Sequence, residues 1–168
     1  MVTTVYYPIL AHRNVFFEPR NLDDFDLIAN KPLKESVPEL EKIITPDSYN
    51  GDFTWCDNSS VILVSKRVAL IPDFKHLEVC SIKNNIEYSL LLVDELDCLD
   101  YKKSKIEYFN NTTKIKGISK YCFKKDVIKE NHLYFKIKGL DYSPVFFTKR
   151  FLRLYKANGL SGLEFKRV

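Results

Sequence analysis

The apolar residues of the chain recur in short runs and alternating stretches, a pattern that predicts strands more often than helices. Val61–Val64 is a continuous apolar run, which predicts a strand buried on both faces. Further along, the turn-forming pairs Asn84-Asn85 and Asn110-Asn111 predict antiparallel hairpins. Pro8 places the first strand at a sheet edge, because proline has no N–H to donate. The expected strands are Val5–Leu10, Val61–Val64, Leu77–Ile82, Glu87–Leu96, Lys105–Phe109, Lys114–Phe123, Leu133–Ile137, Val145–Phe147 and Leu160–Val168.

Two short helices are expected, each preceded by a hydroxyl residue that can cap its first turn. The helices run from Lys66 to about Leu70, after Ser65, and from Lys149 to about Asn158, after Thr148. Pro72 ends the first helix. We expect Gly159 to end the second helix at a positive φ and Gly162 to be structural as well.

The two helical segments share one pattern: an apolar strand, a hydroxyl residue, Lys-Arg, an apolar helix start and a returning strand. The matching stretches are Val61–Val68 and Val145–Phe151. They predict a strand–helix–strand pseudo-repeat. Because strands outnumber helices and several join through short turns, the predicted fold class is α+β, mostly antiparallel sheet with a few short helices.

The length of 168 residues predicts a single domain, 1–168. Pro19, Pro32, Pro38 and Pro46 interrupt any long element near the start of the chain. Residues 1–58 are therefore expected to be an irregular, acidic part with a helical turn around Val37–Ile44, and residues 59–168 to form the core.

Charge is unevenly distributed along the chain. Residues 1–58 have a net charge of −5, residues 59–100 of −3 and residues 101–168 of +12. Such asymmetry favours a charged partner. The alternative is that the acidic and basic parts lie side by side and neutralise each other.

Candidate chemistry is sparse. The four cysteines, Cys56, Cys80, Cys98 and Cys122, are too far apart for a zinc site and are expected to be reduced. Phosphate-binding loops and nucleophile elbows are absent from the sequence. We therefore expect no catalytic residue, no metal and no cofactor. The one acidic cluster, Asp94, Glu95, Asp97 and Asp100, leaves a metal-dependent or hydrolytic enzyme as a minor alternative.

The start of the chain lacks a basic segment followed by a long apolar stretch, and no apolar run approaches the length of a membrane span. We expect a cytoplasmic protein that does not bind membranes.

Three stretches of the chain resemble a known family. They are Val61–Arg67, then Tyr88–Ser104 with its "D-x-x-D-x-x-x-S" pattern, and finally Phe135–Phe165 with the closing "G-L-x-G-L-x-F" of residues 159–165. Together they resemble, over about residues 59–168, the immunity-protein family numbered eleven of bacterial polymorphic toxin systems, formerly a domain of unknown function. At Pro72 the chain departs from the family, whose helix usually runs longer.

The resemblance implies a binding protein rather than an enzyme: a cytoplasmic immunity protein that neutralises a cognate toxin, encoded nearby, by forming a stoichiometric complex. Two charged faces are candidates for the interface. One combines Asp94, Glu95, Asp97 and Asp100 with the acidic N-terminal third; it is suited to a basic toxin and is the face we favour. The other comprises Lys149, Arg150, Arg153 and Lys156 and is suited to an acidic cleft. The alternative function is a regulatory nucleic-acid-binding module that uses the basic last third, although we expect a protein partner rather than nucleic acid.

Overall fold

The computed structural model of the protein describes residues 4–10, 16–19, 40–43, 51–56, 61–74, 77–80, 88–124, 126–140 and 143–168. These residues form short strands and two helices, α1 (Lys66–Ala69) and α2 (Lys149–Ala157). In this part of the chain, both helices fall far short of the length and apolarity needed to cross a bilayer. The strands are β1 (Val5–Leu10), β2 (Phe16–Pro19), β3 (Leu40–Ile43), β4 (Phe53–Cys56), β5 (Val61–Ser65), β6 (Leu77–Cys80), β7 (Tyr88–Leu91), β8 (Glu95–Leu96), β9 (Lys105–Tyr108), β10 (Ile115–Lys120), β11 (Tyr134–Ile137), β12 (Phe146–Thr148) and β13 (Leu163–Arg167).

The strands form two sheets and a separate hairpin. One sheet has the order β3-β2-β4-β5-β7-β6, the other has the order β13-β1-β12-β11-β8, and β9 pairs with β10. All pairings are antiparallel except β2 with β4 and β8 with β11. The predicted α+β class, mostly antiparallel with short helices, is confirmed.

The predicted pseudo-repeat extends over five strands of each sheet. β2-β4-β5-β7-β6 and β8-β11-β12-β1-β13 have the same order and the same parallel and antiparallel neighbours. The registers agree as well. Val64 pairs with Phe53 and Ser89, and its counterpart Phe147 pairs with Tyr134 and Tyr6.

The repeat is permuted in chain order. In the first unit, β7 directly follows β6 along the chain. In the second unit, the counterpart of β7 is β1 and the counterpart of β6 is β13, and these two strands lie at opposite ends of the chain. α2 is also longer than α1, with nine residues instead of four. Pro72 accounts for the short first helix, because it follows three residues after the last helical residue and cannot continue the helix.

The two units share a central apolar core. Val64 and Val68 from the first unit pack in the same cluster as their counterparts Phe147 and Phe151 from the second. The Phe147 and Phe151 rings have centroids 4.2 Å apart, and the Phe53 ring packs edge-on against Phe151 at 5.6 Å. Such pairs add roughly 0.5–1.5 kcal/mol each beyond area burial.

A second core lies on the opposite face of the five-stranded sheet, because neighbouring residues of a strand point to opposite faces. Phe146, next to Phe147 on β12, packs there with Phe135 and Ile137. The connection between β8 and β11 covers this face through Leu99, Ile128 and the hairpin residues Ile106 and Ile118. The fold thus places α2 and the β9–β10 hairpin on opposite faces of one sheet.

Two strand predictions are wrong in their details. β1 is an inner strand between β12 and β13, not an edge; Pro8 is accommodated because β1 pairs with β12 only at Val5 and Tyr6. The long strand expected at Glu87–Leu96 is two strands, since Leu92–Asp94 carries the chain from one sheet to the other. The turn expected at Asn84-Asn85 lies outside the described residues, although β6 and β7 pair as predicted.

The helical turn expected around Val37–Ile44 is wrong for Leu40–Ile43, which forms β3; the rest of that range lies outside the described residues. β4 is also a strand within a part expected to be irregular. Its four residues, Phe53–Cys56, gain their strand conformation from antiparallel pairing with β5, which the local pattern does not reveal.

Candidate partner-binding surfaces

Of the four acidic candidates, Asp94 precedes β8, Glu95 lies on it, and Asp97 and Asp100 lie in the segment that follows. Asp94, Glu95 and Asp97 are exposed. Asp97 binds Lys124, and Asp100 binds Lys103, each with a 2.9 Å distance between carboxylate oxygen and Nζ. The hydrogen bond from Lys103 lowers the pKa of Asp100. Two of the four carboxylates therefore already have lysine partners, which weakens the negative field that this face presents.

The acidic cluster does not converge on a metal position. Nowhere in the described ranges do three or more His, Cys, Asp or Glu side chains come together as metal ligands would. Of the cysteines, Cys98 is buried and Cys122 half-buried, and both are free thiols. Burial raises the pKa of the Cys98 thiol to about 11.

The basic candidates lie on α2, whose N-terminus the structure caps as expected. Thr148 is fully buried, and its Oγ1 accepts a hydrogen bond of 3.5 Å from the N–H of Phe151. Lys149 and Arg153 are exposed, one turn apart on the outer face of the helix. Arg150 is engaged: its guanidinium donates to Asp73 Oδ1 at 3.3 Å and to the Asn131 carbonyl at 3.4 Å.

A polar cluster around Asp52 joins the two units, and the sequence pattern did not reveal it. The Asp52 carboxylate is 8% exposed. It accepts hydrogen bonds from the Ser65 hydroxyl at 3.0 Å, Arg67 at 3.3 Å, and both the N–H and the hydroxyl of Ser161 at 3.0 and 3.1 Å. Ser65 lies at the N-cap position of α1, but its side chain makes no capping bond because the hydroxyl is directed to Asp52.

The two glycines expected to be structural lie beside this cluster. Gly159 follows α2 with a φ of 56°. Gly162 has a φ of 104°, and a Cβ at this position would overlap the Phe53 carbonyl oxygen. Only glycine fits this close approach between the second unit and β4.

The ion pairs show where acidic and basic parts of the chain lie side by side. Among the described residues, three pairs join an acid from residues 59–100 to a base from residues 101–168, namely Asp73–Arg150, Asp97–Lys124 and Asp100–Lys103. The acidic and basic parts thus neutralise each other locally, and most bases of the last third remain outside these pairs.

An open groove of about 560 Å³ lies beside the β9–β10 hairpin. The sequence pattern did not predict it, because it forms where residues 101–115 meet residues 139–140, which are distant in sequence. It is lined by Tyr101, Tyr108, Thr112, Thr113, Lys114, Ile115, Gly139 and Leu140. Tyr101 and Tyr108 are about half exposed, as is Phe109 at the hairpin turn.

Comparison with known proteins identifies a family. No curated protein matches the chain. The sequence model of the immunity protein family Imm11 matches residues 81–168, just over half of the chain. The match includes two of the three stretches that carry the resemblance and leaves out Val61–Arg67. It spans β7 to β13, including the hairpin and α2. The chain therefore belongs to the Imm11 family of immunity proteins.

Proposed function

We propose that this protein is a cytoplasmic immunity protein that binds a cognate toxin domain, encoded nearby, and neutralises it in a stoichiometric complex. The observation that carries the proposal is the family match over residues 81–168. In such a role the protein acts by covering the toxin and needs no catalytic group of its own.

The packing of the two units supports a rigid binding scaffold. The central core draws residues from both sheets, and the Asp52 cluster and the Gly162–Phe53 approach link residues more than a hundred positions apart. We propose that residues 1–168 act as a single domain. A rigid scaffold lowers the entropy lost on binding and so favours a long-lived complex.

The acidic face and the α2 face are both candidate steering surfaces. On the acidic face, Asp94 and Glu95 make no ion pair among the described residues, while Asp97 and Asp100 bind lysines. On α2, Lys149 and Arg153 project from a helix whose other side is buried. Charges on such faces accelerate encounter more than they tighten the final complex.

The test is to mix the purified protein with the toxin domain of the adjacent gene. We expect a one-to-one complex by light scattering after gel filtration, and rescue of growth when the two are co-expressed. An unrelated toxin domain is the control. Absence of both complex and rescue would contradict the proposal.

The nucleic-acid alternative rests on the net charge of +12 over residues 101–168. It predicts binding to random duplex or single-stranded DNA that falls steeply with salt, because each phosphate contact releases a counterion. Two results together would exclude nucleic-acid binding as the main function. The first is micromolar or weaker binding to DNA that disappears near 0.2 M salt, and the second is binding to the toxin domain that persists at that salt concentration.

A further inference from the structure

The β9–β10 hairpin is an addition to the repeated scaffold. Along the chain, the hairpin lies between β8 and β11. In the first unit, the counterparts of these two strands are β2 and β4, and the described strand between them, β3, joins the six-stranded sheet. Among the strands that the structure describes, β9 and β10 pair only with each other, and one isolated bridge, Leu99 with Phe123, fastens the base of the hairpin. Hairpins of two strands are marginal in water, so a function outside the scaffold would explain its retention.

One face of the hairpin is apolar along its length, but only half of that face is covered. Ile106 and Ile118 pair across the strands and pack against the second core. Tyr108 lies two residues beyond Ile106, on the same face, and pairs with Ile115. Tyr108 and Ile115 extend past the core and line the open groove. The apolar face therefore continues into solvent.

The rest of the groove adds further anchor residues. Tyr101 follows Asp100 in a turn. The Asp100 carboxylate stabilises this turn by accepting a hydrogen bond from the Lys103 N–H and by forming an ion pair with the Lys103 side chain. Leu140 contributes an aliphatic side from the segment before β12. Half-exposed tyrosines around an aliphatic pocket are typical of protein interfaces, where Tyr is enriched among the residues that contribute most to binding.

The charge around the groove is basic. Residues 101–120 contain six lysines, Lys102, Lys103, Lys105, Lys114, Lys116 and Lys120, against one acid, Glu107. Lys114 lines the groove itself, and all six are exposed. Of the six, only Lys103 forms an ion pair with a described residue. A partner that fits must therefore be acidic around an apolar anchor.

We propose that this groove is the docking surface for an acidic face of the toxin, which inserts an apolar side chain between Tyr101, Tyr108 and Leu140. The proposal rests on the proposed function and names where that binding occurs. It differs from both charged faces considered above. The α2 face lies on the opposite side of the five-stranded sheet, so a single compact partner does not cover both.

Single-stranded nucleic acid is the competing occupant, since bases stack on exposed aromatic rings beside lysines. The aliphatic wall formed by Ile115 and Leu140 favours a protein side chain, because aliphatic groups offer no stacking surface to a base. Family membership favours a protein partner as well.

The test measures binding of the adjacent gene's toxin domain to Tyr101→Ala, Tyr108→Ala and Lys114→Glu variants. We expect each tyrosine substitution to raise the Kd at least about tenfold through faster dissociation. Lys114→Glu should slow association about tenfold at low salt and much less at high salt. Tyr108→Thr, which places a residue of high β-propensity in the strand, replaces Tyr108→Ala if that variant does not fold.

Two matched controls lie away from the groove. Leu70→Ser removes an exposed apolar side chain at the end of α1, and Lys166→Glu reverses an exposed charge on β13. Both should bind the toxin domain within about twofold of the unaltered protein. Arg153→Glu is a separate probe of the competing α2 face. A carbodiimide cross-link from Lys114 or Lys116 to a toxin carboxylate, located by mass spectrometry, would give independent support.

The outcomes separate the two proposals. If the unaltered protein does not bind the toxin domain, the proposed function fails and the groove proposal with it. If it binds and all groove variants bind equally well, only the groove proposal is overturned. Loss of binding in Arg153→Glu but not in the groove variants would move the interface to α2. Tighter binding to single-stranded DNA than to the toxin domain, lost in the tyrosine variants, would identify a nucleic-acid site instead.

Discussion

Arg67 and Arg150 occupy equivalent positions in the two strand–helix–strand units, and each reaches across to the other unit. Arg67, on α1, donates to the Asn158 carbonyl at 2.5 Å and the Gly159 carbonyl at 3.5 Å, at the C-terminal end of α2. Arg150, on α2, binds Asp73, which follows α1. The shared Lys-Arg pair of the sequence is thus a reciprocal contact between the repeats, although the partners differ.

The difference in partners predicts unequal costs of removal. Arg67→Met should lower the free energy of unfolding by about 1–2 kcal/mol, because it leaves the buried Asp52 carboxylate without its cation and removes the side-chain donor to the Asn158 and Gly159 carbonyls. Arg150→Met should cost no more than about 0.5 kcal/mol, because its pair with Asp73 is exposed to solvent. Urea unfolding measures both.

A double variant checks the cause. In the Arg67→Met background, Asp52→Asn should cost less than it does alone, because the unpaired charge is already present. Additive costs would mean that Arg67 does not act through Asp52.

A second prediction separates backbone strain from steric contact at two glycines. Gly162→Ala should destabilise the protein by about 3 kcal/mol or more, since the new Cβ collides with the Phe53 backbone and φ stays positive. Gly159→Ala should cost only about 1 kcal/mol, because the new Cβ would lie 3.9 Å from its nearest neighbour, the Arg67 side chain, and only the left-handed conformation is strained. Thermal melts of the two variants should differ by several degrees; equal shifts would refute the close approach.

A third prediction concerns the Cys98 thiol. Because burial raises its pKa to about 11, Cys98 should resist alkylation at pH 8 in the folded protein and react once the protein unfolds. Peptide mapping after iodoacetamide treatment distinguishes it from the half-buried Cys122. Rapid labelling of Cys98 under native conditions would contradict its placement in the second core.

The same thiol contributes to alkaline instability. The unfolded chain loses the thiol proton near pH 9 and the folded chain only near pH 11, so stability falls as pH rises between these values. Tyr134, whose pKa burial raises to about 12, acts in the same direction at higher pH. Cys98→Ala should therefore flatten the fall between pH 9 and 11 without abolishing it.

A fourth prediction follows from the permuted order of the repeat. The Val168 N–H donates to the Val5 carbonyl at 3.1 Å, so the end of β13 lies beside the start of β1. A circular permutant that places residues 4–10 after Val168, through a short Gly-rich linker, should fold with a near-native circular dichroism spectrum, because antiparallel neighbours need only a hairpin connection. Deletion of residues 4–10 without reinsertion is the control and should unfold the five-stranded sheet.

The sequence predicted most of the fold, including β1, β5 and α1 in the first half, but it did not predict β2, β3 and β4. The strands near Lys105, Ile115 and Tyr134 are bounded by local turn residues, and the hydroxyl cap at Thr148 is a local contact. The local sequence pattern is therefore sufficient to predict these elements. β4 depends on pairing with β5, and the bond between Ser65 and Asp52 joins residues thirteen positions apart, so neither is visible in a local pattern. The groove was missed for the same reason, because Tyr101, Tyr108 and Leu140 converge only in three dimensions.

The position of β1 also sets an order on folding during synthesis. Residues 5–10 are made before the rest of both sheets, and their partners in β12 and β13 follow about 140 to 160 residues later. β4 to β7 of the six-stranded sheet pair within a much shorter stretch and can form first. The apolar Val5 must therefore stay uncovered through most of translation, which makes the first strand the segment most in need of protection while the chain is incomplete.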